Sequence, residues 1–139
     1  GSSDMRSFLP EKTDELWKTE TIRKPSNIKK VTRDIESDRS ILEIVDDFGL
    51  VRDNAHGLEI GSIAREWWTI HPNDPLSAEG RTHWTEERNR GNWRTRTETF
   101  ATMHSDADNF YILAKLKAYA NETLFFEKEF SETISRDSH

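Results

Sequence analysis

The chain has 139 residues, 33% of them hydrophobic and 33% charged, with a net charge of −6. That length holds one domain with one core, and the absence of cysteine removes disulfides, thiolate chemistry and cysteine-ligated zinc together. Basic residues dispersed among acidic ones argue against a nucleic-acid or anionic-membrane surface. No apolar run approaches the roughly 20 residues of a membrane span and no signal peptide is read at the N-terminus, so a soluble, cytoplasmic domain is expected. With five Trp and seven Phe, much of the apolar area is carried by a few large rings.

In chain order, Gly1, Ser2 and Ser3 read as a cloning remnant. Residues 1–27 as a whole read as an N-terminal arm, broken by Pro10 and Pro25 and docking through Trp17. The all-β domain is expected over 28–139. Its first two strands, 28–35 and 41–46, form a hairpin around Ser37 to Ser40. Phe48 to Gly57 read as an irregular link, with Gly49 and Gly57 suggesting positive φ or close backbone approach. A strand over 58–70 places Leu58, Ile60, Ser62, Ala64, Trp68 and Ile70 on one face and Ile63, Arg65 and Trp67 on the other. His71 to Leu76, with two prolines, read as a rigid loop that ends the ladder.

Further strands follow over 79–88, 93–103, 109–119 and 123–134. In the last hairpin Phe110, Ile112, Ala114, Leu116 and Ala118 share a face, Asn121-Glu122 is the turn, and Leu124, Phe126, Phe130 and Ile134 resume the alternation. The sum is an antiparallel meander of about seven strands, curled into a barrel or folded as a sandwich. Its expected core is Ile60, Trp68, Trp84, Trp93, Ile112, Leu116, Leu124, Phe126 and Phe130.

Chemistry-bearing patterns are sparse. His71, His83, His104 and His139 are far apart and lack metal-ligand spacing, so no metal or other cofactor is expected; His71 and Asp74 read as loop caps. Gly61-Ser62 lacks the second glycine of a nucleophile elbow, so no catalytic residue is assigned. The pairs Asp46-Asp47 and Glu86-Glu87 point to opposite strand faces and cannot share a proton. Arg88, Arg90, Arg94 and Arg96 lie among Glu86, Glu87 and Glu98 and read as cross-strand ion pairs. Trp67, Trp68, Trp84 and Trp93 either fill a core or line a pocket, with Trp68, Trp84 and Trp93 the candidates for a ligand pocket.

Four runs in order, HGLEIGS at His56 to Ser62, IHPNDPLSA at Ile70 to Ala78, RGNWRTRTET at Arg90 to Thr99 and the closing Ile134, Ser135, Arg136, Asp137, carry a family resemblance. Over Val31 to Asp137 the chain resembles the extreme C-terminal part of the CocE/NonD hydrolases, the cocaine-esterase-like acyl esterases related to Xaa-Pro dipeptidyl-peptidases. The family often closes on Ile-Pro-Arg-Asp where this chain has Ser135, and the likeness fades before Ile28. The resemblance implies a jelly-roll-like β-domain, not an enzyme by itself, that packs against an α/β-hydrolase domain carrying a Ser-His-Asp triad. None of the triad's stretches has a counterpart here, so no catalytic residue carries over. The competing reading is a stand-alone β-barrel that binds a small apolar ligand. A homodimer is also expected, joined through Ile63 or Trp67 on the two-sided strand 58–70.

Overall fold

A computed structural model describes residues 19–137. They form one antiparallel sheet of eight strands: β1 (Thr19–Arg23), β2 (Ser26–Arg33), β3 (Ser40–Asp53), β4 (Leu58–His71), β5 (Asp74–Arg90), β6 (Trp93–Ser105), β7 (Asn109–Ala120) and β8 (Thr123–Ser135). From β3 to β8 each strand pairs with the next, so the chain is a meander, and the sheet is not closed. Both β1 and β2 lie on the outer side of β3, β1 along its second half and β2 along its first. Their separation falls at Lys24 and Pro25, opposite a bulge in β3 at Phe48.

That bulge explains a departure from expectation. Phe48 to Asp53 is not a link but the continuation of β3. The bulge inserts one residue, and Gly49 at φ +88° lets the strand resume. A Cβ at Gly49 would stand 2.7 Å from the Arg23 carbonyl oxygen, so the glycine is also what allows β1 to lie this close. Residues 19–27 of the expected arm therefore belong to the sheet, contributing β1 and the start of β2. Trp17 lies outside the described residues.

A second departure is the loop at His71 to Leu76. It is a tight turn at Pro72 and Asn73, with β5 starting at Asp74, which pairs with His71. Pro75 is accommodated where the register slips between Thr69 and His71, the kind of ladder break a residue without a backbone donor tolerates. Local caps complete the turn: the Leu76 amide donates to Asp74 Oδ1 at 3.1 Å, the Ser77 hydroxyl donates to the Asp74 carbonyl at 2.6 Å, and the Asn73 amide donates to His71 Nδ1 at 3.4 Å. The capping role expected of His71 and Asp74 is what these bonds describe. The last hairpin turns at Asn121 and Glu122, both at positive φ (48° and 69°), the two-residue geometry that matches strand twist.

Facing residues of paired strands share a side of the sheet, so the registers sort the side chains onto two faces. One face, called here the apolar face, carries rows that run across the strands. Leu42, Trp68, Gly80, Met103 and Ile112 make one row; Ile44, Glu66, Thr82, Ala101, Ala114 and Phe130 the next; Asp46, Ala64, Trp84, Thr99, Leu116 and Lys128 a third. Of the expected core, Ile60, Trp68, Trp84, Ile112, Leu116, Phe126 and Phe130 lie on this face, as does Trp93 by its pairing with Arg90. Leu124 does not: the register slips between Ala118 and Tyr119, Phe125 is the extra residue, and Leu124 faces Tyr119 on the other side.

The expectation of an enclosed core is not met. Among the described residues the buried hydrophobic side chains are Leu50, Ala114 and Ala118, whereas Trp84 is 42%, Phe126 47% and Phe130 55% exposed. The alternation put these rings on one side as expected, but nothing among the described residues lies over that side.

Candidate functional site: an uncovered apolar face

The two faces differ in how far their groups are satisfied. On the polar face, cross-strand partners meet almost everywhere. Arg23 of β1 reaches Asp47 of β3 at 2.8 Å and Glu87 of β5 at 3.4 Å. Arg52 binds Glu59 at 2.6 Å and Glu20 at 3.3 Å. Trp67 donates its indole N–H to Glu43 at 2.6 Å and lies under the Arg81 guanidinium, 5.1 Å from the ring centre. His83 stacks on Phe100 at 4.3 Å and contacts Glu98 at 3.2 Å, while Lys115 bridges Glu127 at 3.3 Å and Glu129 at 3.7 Å. Such ladders are solvated structures, individually worth little and mutually consistent.

Trp67 is therefore engaged on its own face, and β4 has neighbours on both sides. The strand expected to carry a free edge has none, and Trp67, one of the two residues expected to join a dimer, is engaged within its own sheet. The arginines also pair differently from expectation. Arg96 lies directly across from Glu87, but Glu87 is held by Arg23, and Arg96 turns to Glu122 at 2.9 Å with its guanidinium 4.3 Å from the Tyr119 ring centre. Glu98 and Glu86 are taken by His83 and by the Trp84 indole.

The apolar face has no comparable cover. Trp68 lies flat across Gly80, where an added Cβ would come within 2.7 Å of the ring; the glycine makes room for the indole on the neighbouring strand. Phe48, brought over by the β3 bulge, stacks on Trp84 with centroids 6.0 Å apart. Ile60, Trp68, Ile70, Trp84, Met103, Phe126, Phe130 and Ile134 are each between 39% and 55% exposed. At roughly 80–100 Å² left bare per ring, the four rings alone leave about 300–400 Å² of apolar surface uncovered, the size of the largest patch of an ordinary monomer, about 300–600 Å².

The candidate pocket residues do not converge. Trp84 pairs with Ala64, four residues along β4 from Trp68, and Thr99, its partner on β6, is six residues from Trp93. At about 3.3 Å per residue the three indoles spread along the sheet. A cavity of about 270 Å³ beside Trp84 is lined by Phe48, Gly49, Ile60, Gly61, Ser62, Glu86, Glu87 and Arg88, without a tryptophan. Ser62 sits there between Gly49 and Glu86 on neighbouring strands, with no histidine in the lining. Asp46 and Asp47 fall on opposite faces, Asp46 against Asn27 and Asp47 against Arg23, as do Glu86 and Glu87.

His56 was not singled out in the sequence. In the β3–β4 turn its Nδ1 contacts Asp53 Oδ2 at 2.6 Å. That bond, with the Ala55 amide, holds the Asp53 carboxyl below its ordinary range. A His three residues after an Asp in a Gly-containing turn was the available signal. Among the described residues no group of three or more His, Asp or Glu is arranged to hold a metal ion, and no helix is long and apolar enough to cross a membrane.

Fold and surface together define a class: an open, single-sheet β-domain with one self-satisfied polar face and one apolar face left uncovered by its described residues. Compared with family models, with curated proteins and with solved structures, the chain finds no match.

Proposed function

We propose that this chain is the non-catalytic C-terminal β-domain of a CocE/NonD-like serine hydrolase, of acyl esterase or Xaa-Pro peptidase type, and that its apolar face packs against the α/β-hydrolase domain and helps shape the active site. The observation that carries this reading is the asymmetry of the faces. A sheet that pairs its charges from strand to strand on one side while leaving Trp68, Trp84, Phe126 and Phe130 half bare on the other is built to be covered on that other side. The identity of the covering partner comes from the resemblance of the four runs between His56 and Asp137. In this reading the nucleophile, its base and the oxyanion donors all belong to the partner domain, and the chain acts by excluding water and fixing the wall of the site.

The test has two arms. The coding sequence should carry an α/β-hydrolase domain upstream, in frame or in a neighbouring gene, and joint expression should give a 1:1 complex in which tryptophan emission shifts to the blue as Trp68 and Trp84 lose water. The isolated chain should not hydrolyse p-nitrophenyl acetate. Failure to bind such a domain, or ester hydrolysis by the chain alone, overturns the reading. Saturable quenching by fatty acids, with no hydrolase domain encoded nearby, would favour the small-ligand binder, whose site would be the cavity beside Phe48 and Ile60.

A further inference from the structure

The edge of the sheet is a separate surface from its apolar face. Among the described residues β8 has a hydrogen-bonding neighbour on one side only, β7, and all thirteen of its residues are exposed. A long free edge presents a row of backbone donors and acceptors to any strand of compatible pattern. Protected edges are interrupted by bulges or charges of one sign; the one bulge in β8 lies near its start, at Phe125, so the stretch 126–134 is regular.

We infer that β8 pairs antiparallel with β8 of a second copy about a two-fold axis passing at Phe130, joining two sheets edge to edge. The sequence of the strand selects this register. With Phe130 facing its own copy, Lys128 faces Glu132 of the partner subunit and Glu132 faces the partner subunit's Lys128, while Phe126 faces Ile134 of the partner subunit. All of these lie on the apolar face, opposite Leu116, Ile112, Ala118 and Phe110 of β7. On the polar face Glu127 and Glu129 would meet threonine and serine, and both already bind Lys115. Lys128 and Glu132, by contrast, have no ion-pair partner among the described residues of their own sheet.

Neighbouring registers fail on charge. An axis at Lys128 sets lysine against lysine and Glu127 against Glu129; an axis at Glu127, Glu129 or Glu132 sets each glutamate against itself; an axis at Ser131 puts Phe130 opposite a glutamate. Like charges directly across a ladder are destabilising. A two-fold axis perpendicular to the sheet also keeps the two apolar faces on the same side, so the band of Phe126, Phe130 and Ile134 continues into its copy.

Sedimentation equilibrium of the full chain at micromolar concentration, with circular dichroism to confirm folding, tests the pairing. The parent is expected to dimerise. Lys128→Glu and Glu132→Lys each turn both cross-axis pairs repulsive and should weaken the dimer by about tenfold or more, and the double variant should restore it. The chain has no cysteine, so Phe130→Cys offers a second readout independent of charge. Facing Cα atoms about 4.5–5.5 Å apart allow a disulfide, and oxidation should link 130 to its own copy whereas Glu127→Cys should not link. A monomer at every concentration, a dimer indifferent to both charge reversals, or equal crosslinking at 127 and 130 would overturn the inference.

Discussion

At Gly80 the absent side chain decides the position of a ring. A methyl there would meet Trp68 at 2.7 Å, yet that indole is 40% exposed and can lift away. Gly80→Ala is therefore expected to cost about 1 kcal/mol, the low end for overpacking, while tryptophan emission moves to the red; unchanged emission would show that the ring does not rest on Gly80. Three carboxylates shape the response to acid. Glu59 is held below its ordinary value first by the Arg52 hydrogen bond and then by Asn89, Asp53 by His56, and Asp106 by the Tyr111 hydroxyl, which donates at 2.6 Å. A group whose folded pKa is depressed adds stability that is complete above its unfolded value, about 4 for a carboxyl, and is lost as pH falls through the folded value. Glu59→Gln should then lower Tm at pH 7 and flatten the fall of Tm between about pH 5 and 2; an acid limb as steep as the parent's would remove Glu59 from that account.

Among the elements, β1 is the one held most lightly. Among the described residues it spans five, pairs with β3, and is tied across the polar face by Arg23 to Asp47 and Glu87. The tie is partly solvated, and the Arg23 Nη2 is buried without a hydrogen-bond partner, which subtracts from its gain. Arg23→Ala is expected to cost no more than about 1 kcal/mol overall but to speed amide exchange in β1 while leaving β5 to β7 protected. Uniform acceleration across the sheet would mean that β1 and the meander unfold as one unit. The β8 bulge acts at the same scale. Removing Phe125 would restore strict alternation and leave Leu124 opposite Tyr119 on the polar face.

For the molecule as a whole, the uncovered band sets what ring truncation costs. A fully buried Trp or Phe cut to alanine costs about 3–5 kcal/mol. Trp84, 42% exposed and stacked on Phe48, should cost about 1–2 kcal/mol in the isolated chain. The same substitution in a complex with the proposed hydrolase domain should cost more, because the ring then loses buried contacts. Urea titrations of both forms measure the difference, and equal costs would show that the partner does not sit on Trp84.

Alternation in the sequence was enough to place the strands from Leu58 onward, apart from the start of β5, together with most of their faces and the Asn121-Glu122 turn, because a period of two and a two-residue hairpin are local properties. It also separated Asp46 from Asp47 and Glu86 from Glu87. It could not show that Arg23 would claim Glu87 and so redirect Arg96, since that choice joins strands far apart in the chain. The bulges at Phe48 and Phe125 were equally hidden: one inserted residue reverses the face of what lies beyond it, and only pairing against β4 and β7 reveals it. Whether the apolar rows form a core was the decision of tertiary structure alone. Periodicity says that Trp68, Trp84, Phe126 and Phe130 share a side, but the number of layers depends on whether another part of the molecule lies over that side, and in the described residues none does.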